Sequence, residues 1–153
     1  MTQHPNPLAS YSVRNVKTFI GMEGPGFNAT LCRDGKPVAF VIDDANGGCF
    51  HFQWTSPPEG TALEAICKQI PPTDFEGLSI AYSPDRFLSQ LVDDYENDKR
   101  LRRIAKKKTL FRIKGDDPDE WRTLNVVGEK ARQYLARKYG EQLEAIYGQG
   151  AAT

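Results

Sequence analysis

Four short runs of β character, separated by turn clusters, fill residues 11–54 and leave the first third of the chain few alternatives. SVRNVKTFI predicts a first strand ending at the glycine-rich GMEGPG, and FNATLCR predicts a second. Asp34-Gly35 follows, a strong hairpin signal, because a two-residue turn of the mirror-image type needs left-handed backbone at both positions. PVAFVID predicts a third strand, bounded by DDANGG. The fourth, CFHFQW, alternates strictly, with Phe50, Phe52 and Trp54 on one face and Cys49, His51 and Gln53 on the other. That is the pattern of an antiparallel strand buried on one side.

TSPPEG ends this meander, and residues 60–70 fit a short helix with Leu63, Ile66, Cys67 and Ile70 on one side. PPTDF predicts a turn and GLSIAY a short strand. Ser83-Pro84-Asp85 opens a helix expected over 84 to about 105: a capping hydroxyl, proline at the first helical position and an acid in the first turn. Phe87, Leu88, Leu91, Val92 and Tyr95 recur along it at helical spacing. TLFRIKG and EWRTLN flank the turn cluster DDPD and predict a second hairpin. A last helix is expected from a cap at Asn125, with Val127, Ala131, Tyr134 and Leu135 inward, interrupted at Gly140 and extended by a turn or two in EQLEAIYG. The expected class is α+β: an antiparallel four-stranded meander, then helices packed on one face, with a late β-hairpin. Residues 1–10 form a polar lead-in, 11–148 a single α+β domain and 149–153 a frayed tail.

The charge distribution is the feature that points outward. Lys99, Arg100, Arg102, Arg103, Lys106, Lys107 and Lys108 fall within ten residues, Arg112 and Lys114 follow, and no acid interrupts residues 99–114. The formal net charge is zero, so these nine cations leave eleven Lys and Arg against twenty acids in the remainder, a balance of −9. A concentrated positive field on an acidic body is the footprint of a polyanion partner. Ordinary helix chemistry absorbs part of it. Glu96–Arg100 and Asp98–Arg102 stand four apart in the favourable acid-first order. It does not absorb Lys106, Lys107, Lys108, Arg112 and Lys114. Tyr95, Phe111 and Trp121 lie close by in sequence as aromatics that could stack on bases, although such residues are more often part of a core.

Other motifs fall short of their chemistry. GMEGPG is followed by a strand and lacks the Lys-Ser/Thr of a phosphate loop, so a hairpin loop is expected. DDANGG misses the ligand spacing of a calcium loop, so a tight turn with an Asx cap is expected. Cys32, Cys49, Cys67, His4 and His51 include no closely spaced cysteine pair, so neither a zinc site nor a disulfide frame is expected. No apolar run approaches the roughly 20 residues of a membrane helix. MTQHPNPLAS lacks the basic start and apolar core of a signal peptide, so a cytoplasmic location is expected. The leading expectation is a small non-enzymatic binding protein, without metal, cofactor or catalytic residues, whose basic helix end and hairpin engage nucleic acid or a phosphorylated ligand. A second expectation is an inhibitor or adaptor of the phage type that occupies a host protein complex through a charged face. A third is an enzyme using the face around Asp43, Asp44 and His51. The sequence leaves the oligomeric state open.

Overall fold

The four β runs pair with one another in chain order. In the computed structural model, which describes residues 6–148, they form β1 (Tyr11–Gly21), β2 (Gly24–Arg33), β3 (Lys36–Asp43) and β4 (His51–Trp54). The resulting sheet is antiparallel throughout, in the order β1-β2-β3-β4. Asp34 and Gly35 make the β2–β3 turn with φ of 53° and 79°, the paired left-handed conformations that tighten a two-residue hairpin. Asn15 sits in β1 at φ 53°, where the β1–β2 register slips between Arg14 and Lys17. Such a bulge re-aims the following side chain, and Val16 turns into the core.

Backbone contacts gather the chain into two compact units, Met1–Tyr95 and Glu96–Thr153. In the first, the inner face of the sheet presents Phe27, Ala29, Leu31, Ala39 and Val41, all buried. Phe50, Phe52 and Trp54 are half-buried against that core, while His51 and Gln53 face out, as the alternation of CFHFQW requires. Helix α1 (Pro57–Lys68) brings Leu63 and Cys67 to the core. It starts three residues earlier than the expected 60–70, because Pro57 and Pro58 take its first turn, where a missing N–H costs nothing. A side chain at Gly60 would meet the Trp54 indole at 2.9 Å, so glycine is what lets the helix lie on β4. Arg33 at the end of β2 donates two hydrogen bonds to the Glu59 carboxylate on this helix. Pro7–Ser10, inside the expected lead-in, forms a single turn capped by Asn6.

PPTDF was expected as a turn, but its last three residues are β5 (Thr73–Phe75), which pairs with β6 (Leu78–Ile80) through Glu76 and Gly77. Both turn residues are left-handed, at φ 49° and 82°, the same geometry as Asp34-Gly35 with a less typical first residue. Helix α2 spans Pro84–Ala105 as expected, and Ser83 Oγ accepts the Arg86 N–H at 3.2 Å as its cap. Its first half adds Phe87, Leu88 and Val92 to the first unit's core. Asp85 also holds β4 in place, accepting the Phe50 N–H at 2.8 Å.

The second unit is built on β7 (Thr109–Ile113), which pairs antiparallel with β8 (Arg122–Leu124) on one edge. On its other edge lies β9 (Leu143–Ile146), where a continuing helix was expected. The reason is tertiary. Gly140 ends α3 (Glu129–Tyr139) at φ 56° and turns the chain back, and the open edge of β7 then supplies hydrogen bonds that override the helical preference of EQLEA. Helix α3 itself starts at Gly128 (φ 80°) rather than at Asn125, because the Val126 carbonyl is engaged by the Thr109 hydroxyl at 2.5 Å. Ala131 and Leu135 are fully buried, but Val127 and Tyr134, expected inward, are exposed. One stripe four residues apart suffices to seat so short a helix. The architecture is therefore α+β, with a four-stranded antiparallel sheet, helices and a late three-stranded sheet. Among the described residues no helix is long and apolar enough to cross a membrane. The tail expected over 149–153 lies outside the described residues, as do residues 1–5.

The two faces of the meander make opposite demands. Leu31→Ala should lower unfolding free energy by about 2–5 kcal/mol, through lost transfer energy and a residual cavity. Gln53→Ala, on the exposed face, should change it by no more than about 0.5 kcal/mol. Urea titrations followed by circular dichroism check both; a larger loss at Gln53 than at Leu31 would mean that the faces are assigned in reverse.

Candidate polyanion interface

The basic stretch occupies the last turns of α2, the three residues after it, and β7 with its exit. Lys99, Arg100, Arg102, Arg103, Lys106, Lys107, Lys108 and Lys114 are all exposed. Leu101 is the buried anchor among them and Ile104 is half-buried. The helix stops because the chain turns under Ile104, whose carbonyl accepts the N–H groups of both Lys107 and Lys108 at 3.0 Å.

Two of the nine cations are ion-paired within the fold. Arg102 pairs with Asp98 four residues earlier, donating from Nε at 2.7 Å. Asp98 also accepts the Tyr147 hydroxyl at 2.6 Å. The Tyr147 hydroxyl and then the Arg102 guanidinium hold the Asp98 carboxyl below its ordinary range, and Asp98 in turn pushes the Tyr147 hydroxyl up. Arg112 pairs with Glu144 at 3.2 Å, donates to the Pro118 carbonyl and lies 4.2 Å above the Trp121 ring, which meets Tyr147 edge-on at 5.5 Å. The chain Arg112–Trp121–Tyr147–Asp98–Arg102 thus ties the hairpin and β9 to the end of α2. Arg100 bonds the neutral Asn97 amide rather than Glu96. Lys99, Arg103, Lys106, Lys107, Lys108 and Lys114 have no carboxylate partner among the described residues.

The aromatics near the stretch are committed elsewhere. Phe111 is buried against Tyr139, Tyr95 packs on the first unit's core, and Trp121 is half-buried under Arg112. Beside the stretch, Arg100, Leu101 and Ile104 form one wall of a groove of about 300 Å³, with Leu110, Trp121 and Thr123 opposite. Asp119 and Glu120 stand at its rim, so this groove itself is not an anion site.

The acids of DDPD have structural work of their own. Asp116 receives Arg122 Nε and Nη2 at 2.7 and 2.8 Å and the Ile113 N–H at 3.1 Å. These contacts clamp the two ends of the β7–β8 turn, which sequence spacing alone did not expose. The second unit, Arg122 and Asp116 included, holds fourteen Lys and Arg against nine Asp and Glu, a net +5. The first unit holds six against eleven, a net −5.

The other sequence candidates resolve into packing. The GMEGPG turn is only Met22-Glu23, and it lies against the Asp43–Gly48 loop: the Glu23 N–H donates to the Ala45 carbonyl at 2.8 Å. A Cβ at Gly21 would stand 2.6 Å from that of Ala45, and one at Gly26 would stand 2.4 Å from the Asp43 carbonyl oxygen. These glycines are therefore a condition of close approach. Asp43 and Asp44 each accept a backbone N–H two residues on, as Asx turns do. Asp44 reaches His51 Nε2 at 3.4 Å, both side chains exposed. Cys32 and Cys67 are buried and Cys49 is exposed, all three as free thiols. Among the described residues no three His, Cys, Asp or Glu side chains converge as metal ligands. In comparisons with protein-family models, curated proteins and solved structures, nothing matches this chain.

The Asp116 clamp has a pH signature. The Arg122 guanidinium and the Ile113 N–H bring its carboxyl down to about 2. That lies below the roughly 3.9 of an unfolded aspartate, so the stabilisation is complete above the unfolded value and is lost as pH falls through the interval toward 2. The wild-type melting temperature should therefore fall more steeply than that of Asp116→Asn between about pH 5 and about pH 2. Parallel curves for the two proteins would show the clamp uncoupled from folding.

Proposed function

We propose that this protein is a small non-enzymatic binding protein that engages nucleic acid, or another phosphorylated ligand, through the basic surface at the end of α2 and the start of the late hairpin. The observation that carries this reading is the set of six exposed cations, Lys99, Arg103, Lys106, Lys107, Lys108 and Lys114, without a carboxylate partner among the described residues. A solvated helix face in a neutral protein usually intersperses both signs. Here the acids nearest in sequence are spent on Arg102, Arg122 and Tyr147, and the lysines remain open. Phosphate contacts by such side chains give affinity that is independent of sequence and falls with salt as condensed counterions are released. Arg102 and Arg112 serve the site indirectly, by fixing the hairpin and helix end that display the lysines.

Replacing Lys106, Lys107 and Lys108 together by Gln tests the reading by filter binding or anisotropy with duplex DNA over a salt series. The variant should bind more weakly and lose about 0.9 from the log–log salt slope for each phosphate contact removed. Its melting temperature should match wild type, because all three positions are exposed. Unaltered affinity and slope would defeat the proposal.

A further inference from the structure

The outer face of the four-stranded sheet has a chemistry unlike the rest of its unit. Residues directly opposite one another in an antiparallel sheet share a face. The register therefore sets Arg14, Thr30, Phe40 and Gln53 in one row and Lys17, Asn28, Ile42 and His51 in the next, with Phe19 beside Gly26. Phe40 and Phe19 remain 39% and 37% exposed there. The ionisable side chains of these rows are Arg14, Lys17 and His51, with no carboxylate among them, although the unit carries a net charge of −5. His51 alone borders an acid, Asp44, at the end of the sheet. The Asn15 bulge, which takes Val16 inward, opens a depression of about 410 Å³ lined by Asn15, Val16, Lys17, Asn28, Thr30 and Phe40. That volume lies within the roughly 300–1,000 Å³ of small-ligand sites.

We propose that this face binds single-stranded nucleic acid. A base stacks on the Phe40 ring over the depression, Asn28 and Thr30 offer donors and acceptors to its edge, and Arg14 and Lys17 meet the backbone phosphates. A partly exposed aromatic on a sheet face, among cations and short polar side chains, supplies what an unpaired base needs: a stacking plane, edge hydrogen bonds and counter-charge. A duplex, whose bases are already stacked and paired, cannot use the plane. The proposal shares its class of partner with the basic surface around Lys106, and rests on that reading only so far; the residues are different and lie in the other unit.

The test is fluorescence anisotropy with a labelled oligothymidylate, with its duplex, and with polyglutamate as competitor, using folded wild type, Phe40→Ala, Lys17→Glu and the triple lysine variant. Wild type should prefer the single strand. Phe40→Ala should weaken single-strand binding by about 5- to 100-fold, as loss of one base stack does, and leave duplex binding unchanged. Lys17→Glu, which disturbs no packed side chain, should weaken single-strand binding in the same selective way. If both variants bind oligothymidylate like wild type, the sheet face is not the site, while duplex binding lost in the triple lysine variant would still uphold the basic surface. Single-strand binding that depends on Phe40 and Lys17, together with duplex binding that ignores the triple lysine change, would uphold the sheet face and overturn the basic surface. Displacement by polyglutamate as readily as by unlabelled oligothymidylate would make the partner an acidic peptide and overturn the proposal.

Discussion

The register of β2 between its two neighbours sends Ala29 and Leu31 to zero exposure and, by the same period of two, sends Asn28 and Thr30 outside. Much else in the first unit follows from that pairing. Leu31 and Val41 need an apolar lid, which Leu63 of α1 and Leu88 of α2 provide. A one-residue slip would carry the whole apolar set to the other face, so the turn chemistry at Asp34-Gly35 and the bulge at Asn15 are not decoration. The turn fixes the β2–β3 register. The bulge lets β1 keep Tyr11 and Val13 inward at one end while returning Val16 inward at the other. Having spent its apolar residues on one side, the sheet is left with a mixed polar, cationic and aromatic surface on the other.

A second constraint is the meeting of two loops at the far end of β1–β3. A glycine-rich turn beside a carboxylate-rich turn invites a functional reading in sequence, as phosphate or metal loops do. Steric demand accounts for it here. The Gly21 and Gly26 positions approach Ala45 and the Asp43 carbonyl more closely than any Cβ allows, and the Asp43 and Asp44 side chains close their own turns. The same residue types would be needed at a ligand-binding loop, so residue type alone does not separate the two; the missing motif spacing is what favours plain turns.

Where periodicity was local and strong, the sequence was legible: the four strands, α2 with its Ser83 cap, and the β7–β8 hairpin all lie close to where their patterns put them. Where the outcome depended on a distant partner, it was not. LEAI pairs with the free edge of β7, a contact across some thirty residues that no window over 141–148 contains. Glu76-Gly77 is a weaker turn signal than Asp34-Gly35, so β5 was lost inside PPTDF. The candidate interface was legible as a charge run but not in its division of labour. That Asp98 serves both Arg102 and Tyr147, and that Arg112 is spent on Glu144 and Trp121, are facts of tertiary neighbourhood. The outer sheet face has no sequence signature because its cations are spaced along β1 and its two phenyl rings, Phe19 and Phe40, fall on different strands.

A formal charge of zero conceals two opposite fields, +5 over residues 96–153 and −5 over residues 1–95. At physiological ionic strength charges are screened beyond about 8 Å, so an approaching polyanion responds to the side chains it can touch and not to the net charge of the chain. Around Lys106 lie lysines with no carboxylate partner among the described residues. On the sheet a polyanion meets Arg14 and Lys17 beside a partly exposed phenyl ring, in rows that hold no acid. Both surfaces are therefore cationic at the scale that matters for binding. They differ in chemistry: the first offers charge on flexible stems, which suits any phosphate backbone, and the second adds a fixed plane, which favours a base that has left its stack.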